Sequence, residues 1–534
     1  MRPVRLFLFA AVCCSAAAQQ LQTVPTFQAT ARTVQLDVVV TGAKGQPLTG
    51  LKRSDFTLLD NGRPQALTYF EEHVPGPQPR LNPAEKSFQL PPGTYTNFPF
   101  APPSDSVNVL LVDALNTSTV DQAYLREQLI KYVRSMKPGT QVAVFILGDR
   151  LRLLQGFTDD PAALLGAIND KKNGFVPMQA VRPGDYDIRV RITLQSLDQI
   201  SRFLSAVPGR KNLIWFSGNF PLTINAGGTL NASDFLGDFA NELQQATNLM
   251  LLGQVAIYPV DARGLAGLPM YNVANAGRGP DIAHSEGGFY RNLIAAHEGM
   301  NTIAQQTGGV AIYNSNDLRD AIERVTQNGS HFYTLAYNPS DEKWNGTYHN
   351  IKVALTRAGY RLQYRQGYYA RENTRPDAQP TAGPSQDPFL TALSHGMPNT
   401  SQVVYELKIA PEPGRAPSTG NPPELKGPLT AYKLDYAVML NTLHLALTPD
   451  GVHHGSVSFA ALAFDSDGNL LNVVRHDYAI ELPQATYTLF GKIGLQFTSY
   501  IDLPRRGLFL RTGVEDLSAE RWGSLEFPLE VPAR

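Results

Sequence analysis

Two aspartates close two apolar runs in this chain: residues 107–112 (VNVLLV) lead to Asp113, and residues 255–260 (VAIYPV) lead to Asp261. A third apolar run, at 213–216, is followed by Ser217, Asn219 and Phe220. A carboxylate at the end of a buried strand can do structural work, accepting hydrogen bonds from helix N-termini and loop amides. It can also face a ligand, or serve as an acid or base. Asn116 and Thr117 follow Asp113 at once, and Arg263 follows Asp261. Arg263 reads equally as a ligand contact and as the ion-pair partner of Asp261.

Other chemistry-bearing residues form no set. Residues 465–469 (DSDGN) start like a calcium loop, but the twelfth position holds His476 where a carboxylate is required, so a hairpin turn is expected. His453-His454 has no third ligand nearby, and His297-Glu298 lacks the second histidine of a zinc-protease helix. There is no nucleophile elbow, phosphate loop or complete dinucleotide fingerprint. Tyrosines at strand spacing, such as Tyr333, Tyr337 and Tyr368, read as half-buried sheet packing.

These residues sit in a chain of 534, long enough for about three or four domains, and 43% hydrophobic against 17% charged, as expected of packed cores. Lys+Arg 46 against Asp+Glu 47 provides no charge excess to draw nucleic acid or an anionic membrane. Residues 1–18 hold Arg2 and Arg5, an apolar run, and Ala16-Ala17-Ala18, the pattern of a secretory signal peptide cut before Gln19. Cleavage removes Cys13 and Cys14, the chain's 2 cysteines, and moves the net charge from −1 to about −3. No disulfide or thiolate chemistry is then expected. No later segment is long and apolar enough for a transmembrane helix.

Along the chain, residues 33–41 alternate apolar and polar as a half-buried strand does, and Asn61-Gly62 between apolar runs predicts a hairpin. Strands and helices then alternate from 107 to 326, with strands at 107–112, 142–147, 213–216, 255–260 and 310–313. This is the pattern of a doubly wound α/β sheet. From 331 the pattern returns to β. Proline-rich stretches at 76–104 and 372–389 read as linkers.

Several stretches resemble, in this order, the bacterial VWFA-related domain family, secreted proteins with a von Willebrand factor A-like (VWA) domain: VQLDVVVTGAKGQPLTGLKRSDFTLLDNG, VNVLLVDALNT, GFTDDPAALLGAI, KNLIWFSGNFP, VAIYPVDARGL, AQQTGGVAIYNSNDL and FYTLAYNP with its trailing YRQGYYA. They cover roughly residues 30–370. The resemblance implies a Rossmann-like VWA α/β domain that binds a protein ligand, often through a divalent cation at a metal-ion-dependent adhesion site, and it does not imply an enzyme. Of that site's Asp-x-Ser-x-Ser, Asp113 matches and Thr117 supplies a hydroxyl, but Leu115 stands at the middle serine. Gly218 stands where a later aspartate is usual, and residues 171–186 lack a Gly-Gly-Thr. The resemblance therefore implies a degenerate site in which Asp113, Thr117 and, through water, Asp261 could hold Mg²⁺ or Mn²⁺.

The expected architecture is multi-domain: signal peptide 1–18, β unit 31–75, linker 76–104, VWA-like domain 105–328, β strands 329–371 pairing back with the first unit, linker 372–389, and an immunoglobulin-like β-sandwich at 390–534. The expected function is recognition of a protein ligand, in the periplasm or outside the cell, at the carboxyl edge of the VWA sheet. Asn116, Ser217, Asn219, Phe220 and Arg263 would make the contacts. The alternatives are a hydrolase using carboxylates at that edge, or a structural component of the cell envelope. Ligand identity and oligomeric state are not readable from the chain.

Overall fold

The computed structural model describes residues 33–74, 90–98, 106–169, 186–264 apart from 206, 208, 219, 221–249 and 251–252, 281–371 apart from 316 and 341–344, and 387–532 apart from 419–420, 423–424 and 426. The expected signal peptide lies outside the described residues, as do Asn219 and most of both proline-rich stretches.

The α/β part is built on a strand buried on both faces. β6 (Ser106–Asp113) takes its place at the centre of a sheet with β7 (Val142–Leu147), β8 (Leu151–Thr158), β9 (Arg210–Ser217) and β10 (Val255–Asp261), in the order β10-β9-β6-β7-β8. All neighbours are parallel except β8, which runs antiparallel to β7. Because side chains alternate along a strand, Val109 and Leu111 pack on one face with α3 (Tyr186–Ser205) and α4 (Asp281–Thr307). Leu110 and Val112 pack on the other with α1 (Thr119–Ser135), α2 (Pro161–Asn169) and α5 (Leu318–Gly329). The chain leaves β6 through α1 on one face and enters β9 from α3 on the other. The strand order therefore reverses between β6 and β9, a switch point at whose carboxyl side open α/β sheets commonly bind ligands.

Eight short strands form two further sheets around one core. β1 (Val34–Thr41), β4 (Leu67–His73), β11 (Phe332–Tyr337) and β13 (Arg361–Gln363) make one sheet. The other holds β2 (Phe56–Asp60), β3 (Arg63–Gln65), β12 (Asn345–Leu355) and β14 (Gly367–Arg371). β1 and β11 are antiparallel, with Val34 opposite Tyr337 and Val38 opposite Tyr333. Between β2 and β3, Asn61 and Gly62 both take positive φ, the geometry a two-residue hairpin needs.

The C-terminal part has two antiparallel sheets whose side chains share a core that includes Tyr405, Leu434, Phe459 and Leu510. One sheet runs β20-β16-β15-β5, from β20 (Leu495–Pro504), β16 (Leu429–Val438), β15 (Tyr405–Pro411) and β5 (Thr94–Thr96). The other runs β17-β18-β21-β22, from β17 (Ala446–Leu447), β18 (Val452–Phe464), β21 (Gly507–Asp516) and β22 (Arg521–Glu530), with β19 (Leu470–Pro483) also on β18.

Three local expectations change. Thr94–Thr96, inside the proline-rich stretch, is a strand on β15, fixed where the Asn97 amide donates to the carbonyls of Thr400 and Val403. Within the stretch expected to be all β, Gln484–Ile493 is a helix, entered at Pro483 and closed by Gly494 at φ +75°, and β20 begins only at Leu495. The strand expected at 310–313 reduces to one parallel bridge, Ile312 with Val260.

Candidate functional site

The carboxyl ends of β6, β9 and β10 bring Asp113, Ser217 and Asp261 to one edge of the sheet. Ser118 caps α1, its hydroxyl accepting from the Asp121 amide at 3.2 Å. The Gln122 side chain, one turn into α1, donates to the carbonyls of Ala114 (3.0 Å) and Thr117 (2.7 Å). Leu115 is buried in the core, and its amide donates to the Leu147 carbonyl. The 114–118 loop is thus stitched down at both ends.

Asp113 is fully buried and is surrounded by donors. Oδ1 accepts from the Asn116 amide (2.9 Å) and Nδ2 (3.1 Å). Oδ2 accepts from Asn116 Nδ2 (2.9 Å), the Ser217 hydroxyl (2.8 Å) and Trp215 Nε1 (3.3 Å). Burial outweighs these donors and pushes its carboxyl up to about 6. Thr117 Oγ1 accepts from the Gly218 amide at 2.8 Å, and the Ala262 amide donates to the Ser217 carbonyl. The three strand ends therefore form one hydrogen-bonded frame.

Asp261 is held differently. Arg263 grips it with Nε at 2.8 Å and Nη2 at 2.7 Å, and the Arg263 amide adds a bond at 3.0 Å. His297 Nε2, from α4, lies 3.2 Å from Asp261 Oδ2, and its ring stacks on Tyr313 at 4.1 Å.

Of the expected contact residues, Asn116 and Ser217 turn inward to Asp113, and Phe220 is buried edge-on to Trp215 at 4.8 Å. A side chain so placed offers no contact at the surface. Arg263 is partly exposed, with its guanidinium on Asp261. The rim is made instead by Ser118, Arg263, the His297–Tyr313 stack and Asn314. His297 and Tyr313 were not among the expected contacts; the His297-Glu298 pair is visible in the chain, but only its proximity in space to Asp261 gives it a place here. Trp215, ahead of Ser217 on β9, had no signal in its spacing.

A divalent cation does not fit this donor set directly. Mg²⁺ and Mn²⁺ take oxygen lone pairs, whereas N–H and O–H groups already point at both Asp113 oxygens. The Thr117 hydroxyl already accepts from an amide, and Asp261 carries a guanidinium fork. Among the described residues no three His, Cys, Asp or Glu side chains come together in a way that could hold a metal ion.

No protein-family model matches the chain, and no curated protein matches it. The solved structures it resembles include an aerotolerance-related membrane protein from Bacteroides fragilis carrying multiple mutations to serines, 13% identical over 41% of this chain and 98% of that one, with TM-score 0.24. Proximal thread matrix protein 1 from the mussel byssus, with a zinc-occupied MIDAS motif, is 14% identical over 45% of this chain and 48% of its own, with TM-score 0.24. A von Willebrand factor type A protein from Catenulispora acidiphila is 9% identical over 64% of this chain and 75% of its own, with TM-score 0.25. At such scores none of the three bears on what this chain binds. The fold is mixed α/β and multi-sheet, and no helix among the described residues is long and apolar enough to cross a membrane.

Proposed function

We propose that this chain is a secreted VWA-type recognition protein, not an enzyme, that binds a protein ligand at the carboxyl edge of its parallel sheet without a directly ligated metal. One observation carries the reading. Asp113, at the switch point between β6 and β9, spends both oxygens on Asn116, Ser217 and Trp215. It is a rivet for the edge and leaves the rim of Ser118, Arg263, Tyr313 and Asn314 as the face a partner meets. A general base must come within reach of a substrate proton, and a fully buried Asp113 does not. Placement outside the cytoplasm rests on the signal-like residues 1–18.

The test is a photo-crosslinking amino acid placed at Tyr313 or, as control, at the exposed Lys137 on the opposite edge of the sheet. A discrete protein adduct from position 313 alone, unchanged by a chelator, is expected. Adducts from both positions or neither, or loss with chelator, would reject the reading. The rival reading, a hydrolase, draws on the 3.2 Å contact of His297 with Asp261. Turnover on ester, peptide or glycoside panels that disappears in His297→Gln would replace recognition with catalysis.

A further inference from the structure

At the opposite, amino edge of the parallel sheet, the start of β9 and β10 meets the β1 sheet across a small cavity of about 30 Å³. Gln35 and Asp37 of β1, Arg210 of β9, Gln254 before β10, Thr307 at the end of α4, and Arg365 between β13 and β14 line it. The junction is close-fitting. Gly308 takes φ +83° where a side chain would run into Arg365, and a Cβ on Gly309 would lie 1.9 Å from the Ile257 carbonyl oxygen.

The charges there do not balance. Arg210 is 3% exposed, and Lys211 beside it on β9 is 2% exposed. The Arg365 guanidinium faces the same space and donates Nη2 to the Gln35 carbonyl at 2.6 Å. Across the cavity these two guanidiniums, Arg210 and Arg365, face one carboxylate, Asp37. Its nearer oxygen is 3.9 Å from Arg210 Nη1, and its other oxygen takes the Thr334 hydroxyl at 3.0 Å. Arg210 Nη2 donates to Tyr258 and to the Gly308 carbonyl, both at 3.2 Å. The Nε–H groups of Arg210 and Arg365 are both buried without a hydrogen-bond partner. Burial draws the Lys211 ammonium down to about 7, with the charge of Asp37 opposing. Cations held out of water with too little counter-charge are costly, and an orphaned buried donor adds to that cost. Water could satisfy an N–H but not the charge.

We propose that this cavity is a binding site for a small monovalent anion of chloride size, gripped by the Arg210 and Arg365 guanidiniums and joining the α/β part to the β1 sheet. The cavity has room for about one or two water-sized bodies, which suits a halide better than a phosphate or a nucleotide. An anion that binds only the folded state raises stability with its concentration.

The experiment follows thermal unfolding of the full chain in chloride against gluconate at equal ionic strength, with chloride NMR line widths as a direct measure of binding. The wild type is expected to unfold a few degrees higher in chloride and to broaden the chloride line. Arg365→Met should abolish both effects. Asp37→Asn, which removes the competing carboxylate, should keep or strengthen them. Equal midpoints in the two salts together with no excess broadening overturn the proposal. So does an equal chloride response in Arg365→Met and wild type, because that marks a general salt effect. Should Arg365→Met not fold, the wild-type line width and the sign of the Asp37→Asn change decide the matter.

Discussion

The guanidinium of Arg202, on α3, lies 3.7 Å over the ring of Trp522, on β22, and so ties the α/β part to the C-terminal sheets. Its Nη1 also donates to Gln402 Oε1 at 3.1 Å and to the Glu520 carbonyl at 2.8 Å, while Asp198 one turn back holds Nε at 2.8 Å. Arg202 is buried, so the pair is shielded from water, where a cation on an aromatic face gains most.

Arg202→Ala should therefore lower stability by about 2 kcal/mol or more. Arg202→Lys should recover only part of the loss, because an ammonium cannot lie flat on the indole while donating sideways. Denaturant unfolding checks both. In the alanine variant, loss of a tie between the two parts should appear as separation of a single transition into two.

The raised carboxyl of Asp113 sets a pH dependence. Between its unfolded value near 3.8 and its folded value of about 6, the native state binds the extra proton, so this group makes stability fall as pH rises through that window. The effect of Asp113 amounts to roughly 3 kcal/mol once pH passes the folded value. The unfolding free energy of wild type minus that of Asp113→Asn, followed from pH 4 to 7, should decline through the window and then level off. A flat difference would show that the carboxylate is not penalised by its burial.

Because donors already fill the Asp113 oxygens, titration of the full chain with millimolar Mg²⁺ or Mn²⁺ is expected to show no binding heat. Asp113→Ala should then lose stability without changing the metal response. Saturable heat that vanishes in Asp113→Ala would restore the metal-ion-dependent site.

A second buried carboxylate, Asp60, offers a larger effect. Its Oδ2 accepts from the hydroxyls of Tyr337 (2.8 Å) and Tyr368 (2.9 Å), and its Oδ1 lies 2.9 Å from His349 Nδ1. Asp60→Ala strips three buried polar groups of a partner at once and should cost about 3–5 kcal/mol. Tyr368→Phe removes its bond to Asp60 and its 3.2 Å contact with His349 Nδ1, and should cost about 1–2 kcal/mol. The two values come from the same denaturant titration, and equal losses would mean that the cluster is not held through Asp60.

Periodicity made much of this architecture legible. The unbroken apolar runs ending at Asp113 and Asp261 are strands buried on both faces, and Asn61-Gly62 takes the turn that its residue types require. What periodicity does not carry is the direction of a polar side chain. Asn116 follows a strand in a loop, where exposure is the usual expectation, yet a buried carboxylate three residues earlier turns its amide inward. Phe220 reads as an aromatic at a binding edge, but Trp215 provides a ring to pack against. The strand Thr94–Thr96 is too short for a repeat to show, and it exists because β15 has an open edge to pair with. The His297–Asp261 contact joins residues from a helix and a strand end, which no local spacing encodes.

The pairing of β1 with β11 carries a consequence for how the protein is made. Val34–Thr41 is synthesised some 300 residues ahead of its partner Phe332–Tyr337. At ordinary synthesis speeds that is a wait of roughly 15–60 s. Throughout it, VQLDVVVT is an apolar strand with both edges open, because its other neighbour, Arg361–Gln363, is made later still. Until then that strand is the chain's natural point of entry for a chaperone, and its weak point for aggregation.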